Sequence, residues 1–205
     1  MYKIGDKVVY PNHGAGTIVG IETKTILDEK KEYYIMKLPI GEMKVMIPVD
    51  KIDKIGIRDV ISEQKADEVF ELLNGEKSKM SQNWNRRFRA NQEKLKTGDI
   101  FEVAEVVRNL SIRDREKGLS TGEKKMLSNA RQILISELVL AKDMDEESIS
   151  EKMDDLFTLT EKEEQEKKEK EEKAKKAKKA KKEKKEKAEK EKEEKEEKEK
   201  KDSDS

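Results

Sequence analysis

Residues 8–21 read VVYPNHGAGTIVGI, which places two runs of β-branched and aromatic residues on either side of a turn. Such runs favour β-strands, and proline, asparagine and glycine favour the turn between them. Two more runs of this kind follow at residues 33–36 and 43–47, without a helical segment between them. We predict that residues 1–55 form an antiparallel meander that curls into a small β-barrel. The predicted turns lie at residues 11–14, 28–31 and 39–42.

Hydrophobic residues in the second part of the chain, residues 59–157, recur with the period of an α-helix. Ser62 suits the N-cap of the first helix, and Ser120 with Glu123 forms a capping-box pattern before the longest one. Residues 100–110 are apolar most of the way round, so we expect their helix to be central. We predict an all-α bundle here, and therefore an α+β fold with two domains. The other predicted boundaries are Asn74-Gly75, Ser81 or Asn83, and Thr97-Gly98, and a last helix carries Ile149, Met153, Leu156 and Phe157.

The C-terminal segment, residues 161–205, is a charged low-complexity tail that contains 20 lysines, 18 acidic residues and no aromatic residue. Such a segment cannot bury enough apolar surface to offset the entropy lost on ordering. We predict a disordered or single-helical tail. One interpretation is a solubilising tail. The other is a weak, salt-sensitive attraction to phosphates, because residues 173–182 contain seven lysines and no acid.

Several classes of function are disfavoured by residue content. The chain has no cysteine, and His13 is its only histidine, so zinc sites of the ordinary type and cysteine nucleophiles are excluded. The glycines of residues 14–20 have the wrong spacing for a dinucleotide loop, and turn or bulge positions explain them. No acid–base pair or nucleophile is set apart. We predict a protein that is not an enzyme, with no metal, no cofactor and no small-molecule substrate.

A membrane span is also not predicted. No stretch of the chain approaches the ~18 apolar residues that a span requires, and residues 1–6 have no signal-peptide core. We therefore expect a soluble cytoplasmic protein.

A basic segment, residues 77–96, carries seven lysines or arginines against one acid, although the formal net charge of the chain is +0. It contains Trp84, the only tryptophan, within the run NWNRRFR. Trp84 and Phe88 lie at helical spacing with Leu95, so one interpretation is a stripe that packs into a core. The alternative is a nucleic-acid contact in which the indole stacks or inserts and arginines bind phosphates, largely regardless of base sequence.

Rotation about the helix axis orders the residues of this segment. Successive residues of a helix step by about 100°, so Trp84, Arg87 and Phe88 are predicted to share one face. Arg86 and Arg89 are then predicted to flank that face.

An ordered set of segments along the chain resembles the CarD/CdnL family of bacterial transcription regulators. The resemblance is collinear from Met1 to about Phe157 and leaves the tail outside. The segments that carry it are VVYPNHG at residues 8–14, IET at 21–23, GIRDV at 56–60, NWNRRF at 83–88, VAEVVR at 103–108, Arg113-Asp114, and GLSTGEKKML at 118–127.

The resemblance implies a Tudor-like β domain that docks on the β subunit of RNA polymerase. It implies that the helical domain contacts promoter DNA at the upstream edge of the melted bubble and stabilises the open complex. Trp84 corresponds to a tryptophan that wedges into the minor groove there. Arg86, Arg87, Arg89 and Lys124 fall where the family places basic DNA contacts. The protein would then associate with the nucleoid through polymerase.

The family's polymerase-binding positions correspond to Lys24 and Met46 in this chain. Lys24 stands where arginine is frequent, and Met46 where some relatives carry another arginine. Lysine keeps the charge but loses the planar fork, and methionine loses both. The resemblance therefore implies a docking surface that is less polar here, or one that relies on strand-edge pairing.

Two rival functions remain open from the sequence. A similar β module occurs in transcription–repair coupling factor, so one alternative is a polymerase adaptor for repair or elongation, although the helicase motifs of that factor are absent. The other is a general nucleic-acid-binding or ribosome-associated protein without polymerase specificity, because small β-barrels with basic helices also suit RNA.

Overall fold

The N-terminal strands form one antiparallel sheet in the computed structural model, which describes residues 1–26, 29–41 and 43–158. The predicted tail, residues 161–205, lies outside the described residues. The strand order is β4-β3-β2-β1-β5, so consecutive strands pair as in a meander and a short fifth strand returns beside the first. The strands are β1 (Lys7–Tyr10), β2 (Gly14–Ile26), β3 (Glu29–Lys37), β4 (Lys44–Pro48) and β5 (Arg58–Asp59).

The predicted barrel is not confirmed, because the strands described here form an open sheet with β4 and β5 at its edges. β5 pairs with β1 over only two residues, which leaves little edge for closure. The predicted turn at residues 28–31 is also wrong in extent. Glu29, Lys30 and Lys31 belong to β3 and pair with β2, so the two strands form a long two-stranded ribbon.

The glycines after the first turn serve close packing. Gly14 has φ +100°, and a Cβ there would lie 2.4 Å from Ser136 Oγ, so a side chain at this position would clash with a helix. The neighbouring amide of Ala15 donates a 2.8 Å hydrogen bond to the same hydroxyl. The β2–β3 register shifts between Ile18 and Gly20, which is the predicted bulge. His13 lies in the turn, and its amide donates to Tyr10 O at 3.0 Å.

Six helices follow or interrupt the sheet within the described residues, and their predicted caps are confirmed. Ser62, Asn83 and Ser120 each accept a backbone hydrogen bond as N-caps, and Ser120 forms the full capping box with Glu123. The short α1 and the 3-10 turn Val49–Lys51 were not predicted. The helices are α1 (Ile52–Ile55), α2 (Glu63–Leu73), α3 (Trp84–Thr97), α4 (Ile100–Lys117), α5 (Thr121–Lys142) and α6 (146–158).

Two hydrophobic clusters lie within one compact unit that spans Met1–Thr160. The larger cluster is helical, and α4 runs through its centre with Val107 and Leu110 fully buried, as predicted. The smaller one belongs to the sheet and contains Ile18 and Met36. The domain limits of 1–55 and 59–157 stay a prediction, although β5 extends the sheet beyond residue 55.

A polar junction fixes the sheet to the helices. Arg58 of β5 donates two hydrogen bonds to the buried carboxylate of Glu137 in α5, at 2.6 and 2.9 Å. Arg58 also donates to the carbonyl oxygen of Gly98 through Nε at 3.2 Å and Nη2 at 2.8 Å. The amide of Ile61 donates to Glu137 Oε1 at 3.2 Å. The junction therefore joins β5, the end of α3 and the middle of α5.

Replacement of Arg58 by alanine is expected to lower the free energy of unfolding by about 1–3 kcal/mol. The change leaves the Glu137 carboxylate with only the Ile61 amide as a donor, and the partial exposure of Arg58 keeps the loss moderate. Urea denaturation followed by circular dichroism measures it. Lys54→Ala, which removes an exposed cation from α1, serves as the control and should change stability by less than about 0.5 kcal/mol. Equal stabilities for the two variants would contradict the assigned role of the junction.

Candidate nucleic-acid interface

Trp84 is the first residue of α3 and is 43% exposed. Its indole Nε1 donates a 2.8 Å hydrogen bond to Ser120 Oγ, and its ring stacks on Phe88 with centroids 5.2 Å apart and planes at 26°. Leu95, from the same predicted stripe, is buried at 6% exposure. The interpretation that the whole stripe packs into a core is therefore wrong for Trp84, whose ring is held in place and yet open to solvent.

A chain of hydrogen bonds connects the indole to a buried ion pair. Ser120 Oγ, which accepts from Trp84, donates to Glu123 Oε2 at 2.9 Å. Arg87 Nε donates to the other carboxylate oxygen, Glu123 Oε1, at 2.7 Å. Arg87 also donates to the backbone carbonyls of Ser81 and Gln82, at 2.9 and 3.2 Å. We call Arg87, Glu123, Ser120 and Trp84 the anchor network.

The predicted DNA contact by Arg87 is not supported by its position. The side chain of Arg87 is 3% exposed and that of Glu123 is 2% exposed, so the ion pair lies beneath the surface. The helical angle placed Arg87 on the side of Trp84, but the N-terminus of α5 covers that side. Arg87 is therefore a positioning residue that reaches Trp84 through Glu123 and Ser120.

The role of Glu123 was missed, although its capping-box spacing from Ser120 was visible in the sequence. That spacing accounts for one function of the carboxylate, which accepts from the Ser120 amide at 3.2 Å. The carboxylate also pairs with Arg87, 36 residues earlier, and no pattern in the sequence near Glu123 indicates this pairing. The sequence shows only a single acid in the first turn of α5 and a basic segment elsewhere in the chain.

The other predicted DNA contacts are exposed. Arg86 and Arg89 lie on the outer surface of α3, and Lys124 lies in the first turn of α5. The first turns of α3 and α5 meet at the hydrogen bond between Trp84 and Ser120. Helix N-termini carry partial positive charge, so both helix dipoles add to the attraction of anions at this corner.

The carboxyl group of Glu123 has a depressed pKa. Burial alone would raise it, but the hydrogen bond from Arg87, those from the Ser120 amide and hydroxyl, and the charge of Arg87 outweigh burial. The pKa therefore lies below the ordinary value of 4.5. A depressed acid pKa stabilises the fold above the unfolded-state value, and this stabilisation is lost as pH falls through the folded-state value.

The emission of Trp84 is expected to stay constant from neutral pH down to about 4.5 and to change below it, because protonation of Glu123 breaks the anchor network. Trp84 is the only tryptophan, so fluorescence excited at wavelengths that the four tyrosines do not absorb reports on this ring alone. A pH titration of the emission maximum, with circular dichroism in parallel, makes the measurement. The Glu123→Gln variant should lack the step before global unfolding, and a step that persists in this variant would contradict the assignment.

Lys24 and Met46, the predicted polymerase-binding residues, are brought together on the sheet. Lys24 Nζ lies 3.2 Å from Met46 Sδ, and Met46 is 38% exposed. Met46 pairs across strands with Ile35, whose side chain lies on the same face. The carboxylate of Glu22 lies 3.6 Å from Lys24 Nζ. The exposed pair therefore forms a small patch in which the methionine lies beside a lysine–glutamate ion pair.

Within residues 1–26, 29–41 and 43–158, no group of three or more acidic or histidine side chains is arranged to hold a metal ion. In the same ranges, no helix has the length and apolar character needed to cross a membrane.

An open antiparallel sheet joined to a helical bundle defines the class of this α+β protein, and two family models match its two parts. Residues 2–61 match the CarD-like/TRCF RID domain, and residues 68–154 match the C-terminal domain of CarD. The putative transcription factor YdeB of Bacillus subtilis (strain 168) is 44% identical over 149 residues, which cover 73% of this chain and 97% of YdeB. The chain belongs to the CarD/CdnL family of bacterial transcription regulators.

Two solved structures from Myxococcus xanthus are also similar to this chain. The 72-residue N-terminal domain of CarD, solved by solution NMR, is 32% identical, with 29% of this chain and 79% of that chain covered and a TM-score of 0.26. The structure of CdnLNt is 35% identical, with 30% and 87% covered and a TM-score of 0.27.

Proposed function

We propose that the protein docks on the β subunit of RNA polymerase and stabilises the promoter open complex. In this proposal Trp84 inserts into the minor groove at the upstream edge of the bubble. The observation that carries the proposal is the state of Trp84, a large aromatic ring that is exposed at the surface and fixed by the anchor network. A ring held in advance loses little conformational entropy on binding, so more of its stacking energy contributes to affinity.

The exposed cations support a DNA partner of any sequence. Arg86, Arg89 and Lys124 are available for phosphate oxygens, while a stacked or inserted indole contacts the faces of bases. Neither kind of contact reads the hydrogen-bonding edges that distinguish one base pair from another. The proposed activity is therefore independent of promoter sequence and depends on the shape of DNA at the bubble edge.

The mechanism is a shift of equilibrium and forms or breaks no covalent bond. The sheet tethers the protein to polymerase and raises the local concentration of a weak DNA-binding surface. A wedge that fits opened DNA better than closed duplex favours the open complex by the difference in its two affinities. The Arg58–Glu137 junction supports this model, because it joins the sheet that would tether to the helices that would contact DNA.

The proposal is tested by adding the protein to purified polymerase holoenzyme on a linear promoter and measuring open-complex lifetime after a competitor challenge. A longer lifetime with the intact protein is expected. Binding of the protein to polymerase is then compared with its binding to RNA and to ribosomes. A general nucleic-acid-binding protein, the rival function, would show no preference for polymerase. An unchanged lifetime at saturating protein would rule the proposal out.

The double variant Lys24→Glu/Met46→Asp is expected to need at least tenfold more protein for half of the full effect on lifetime. Two unfavourable charges at the docking patch should cost about 1.4 kcal/mol or more. The lifetime at saturation should be unchanged, because the wedge is intact. Lys54→Glu alters the charge of α1, which lies outside the docking patch, and serves as the control. A loss of the plateau, rather than a shift of the midpoint, would count against a tether at this patch.

A further inference from the structure

A groove of about 470 Å³ runs between α3 and α5, and two of its lining residues, Phe88 and Gly122, lie close to the indole of Trp84. Its base is apolar and is formed by Phe88, Leu95 and Met126, of which the last two are buried. Phe88 stacks on Trp84, so the aromatic surface of the wedge continues into the groove. The remaining lining residues are Asn12, Gln92, Lys96, Gly122, Lys125 and Asn129.

The rim of the groove is polar and contains no carboxylate. Three amide side chains and the two lysines Lys96 and Lys125 form it, in a chain with as many acidic as basic residues. Lys96 also pairs with Glu93 at 2.8 Å, but both side chains are more than half exposed and such pairs are weak. The positive charge of the lining therefore favours an anionic occupant over a cationic or neutral one.

The amides add a second chemical requirement. The side-chain amides of Gln92 on α3 and Asn129 on α5 each carry a hydrogen-bond donor and an acceptor. Such a pair of donor and acceptor matches the edges of nucleobases. Asn12, in the turn between β1 and β2, also lines the groove. A flat apolar base, an amide rim and flanking cations together suit one nucleotide better than a duplex, whose base faces are covered by stacking.

We propose that this groove takes one unpaired nucleotide of the melted promoter strand, next to the position at which Trp84 inserts. The base lies against Phe88 and Met126, the amides of Gln92 and Asn129 bond to its edge, and Lys125 contacts the adjoining phosphate. This inference rests on the proposed function and adds to it. The wedge stabilises DNA whose strands are already separated, and the groove retains one of the bases that separation exposes.

The test uses the full-length protein and fork DNA, a duplex that ends in a single-stranded extension. Forks with an abasic site at the first, second or third unpaired position are compared with the intact fork by fluorescence anisotropy. One abasic position is expected to weaken binding by about 5- to 150-fold, the range that a stacked base supplies. The same penalty at that position should remain in Trp84→Ala, although this variant binds every fork more weakly.

The groove variant is Gln92→Met/Asn129→Leu, which keeps the charge and approximate side-chain size and changes only exposed positions. It should reduce the abasic penalty to about twofold or less. Gln64→Met, which makes the same kind of change on α2 outside the groove, should behave as the wild type. Circular dichroism checks that each variant is folded.

Several outcomes overturn the inference. If no abasic position matters, or if the groove variant keeps the full penalty, the groove does not hold a base. If the penalty disappears in Trp84→Ala but survives in the groove variant, the base stacks on the indole alone, and the proposed function stands without the groove. If neither variant alters fork binding, both proposals fail. If the groove variant loses polymerase binding in the absence of DNA, the occupant is a protein segment.

Discussion

Replacement of Arg87 by methionine is expected to lower the free energy of unfolding by about 3–5 kcal/mol. The change leaves the carboxylate of Glu123, 2% exposed, without its charged partner. It also removes the donor that satisfies the carbonyls of Ser81 and Gln82. Folded domains have a margin of about 5–15 kcal/mol, so this loss is a large share of the total.

The neighbouring residue offers a matched control. Arg86→Met removes the same group from the same helix, but Arg86 is exposed, so stability should change by less than about 0.5 kcal/mol. Urea denaturation followed by circular dichroism compares the two variants. Adding Glu123→Gln to Arg87→Met should recover part of the loss, because a neutral amide tolerates burial without a cation better than a carboxylate does. Similar costs for Arg87→Met and Arg86→Met would show that Arg87 has no anchoring role.

The second large effect concerns the wedge itself. Trp84→Ala is expected to shorten the open-complex lifetime by about tenfold or more, since one base–aromatic stack contributes about 1–3 kcal/mol. Polymerase binding should be unchanged, because the Lys24–Met46 patch lies on the sheet and Trp84 on α3. The fold should persist, because the indole is exposed and the anchor network keeps its buried ion pair.

Trp84→Phe separates the contributions of ring area and anchoring. It retains a flat aromatic surface but loses the Nε1 donor that bonds to Ser120, so an intermediate lifetime is expected. Lifetimes are measured with purified holoenzyme after a competitor challenge, at saturating concentrations of each variant. A lifetime for Trp84→Ala equal to that of the wild type would exclude the wedge as the source of stabilisation.

Most of the fold and part of the candidate site could be predicted from the sequence. Helix starts at Ser62, Asn83 and Ser120 follow from side chains that accept a hydrogen bond from the amide three residues onward, so the signal lies within neighbouring residues. The strand alternation of the first 47 residues and the centrality of α4 are local patterns of the same kind. Composition singles out Trp84 as the only tryptophan, within a basic segment, the resemblance implies its role, and the structure places its ring at the surface.

The surroundings of these residues could not be predicted in the same way. Periodicity indicates which residues share a face of α3, but not which side a neighbouring helix covers. The resemblance implies a DNA contact for Arg87, and no pattern along α3 shows that this side chain is buried against Glu123 of α5. Strand register between distant segments decides that the sheet stays open and that Lys24 contacts Met46.

The sequence by itself determined the α+β class, the N-caps of α2 and α5, the acid-poor basic segment and Trp84 as the candidate residue within it. Only the tertiary structure decided that Arg87 is buried against Glu123, that Ser120 anchors the indole, and that a groove continues beyond it. The physical reason is the separation along the chain over which each kind of interaction acts. Capping and periodicity act within a turn or two of helix, whereas burial of a charge depends on a partner brought close by packing, here 36 residues away.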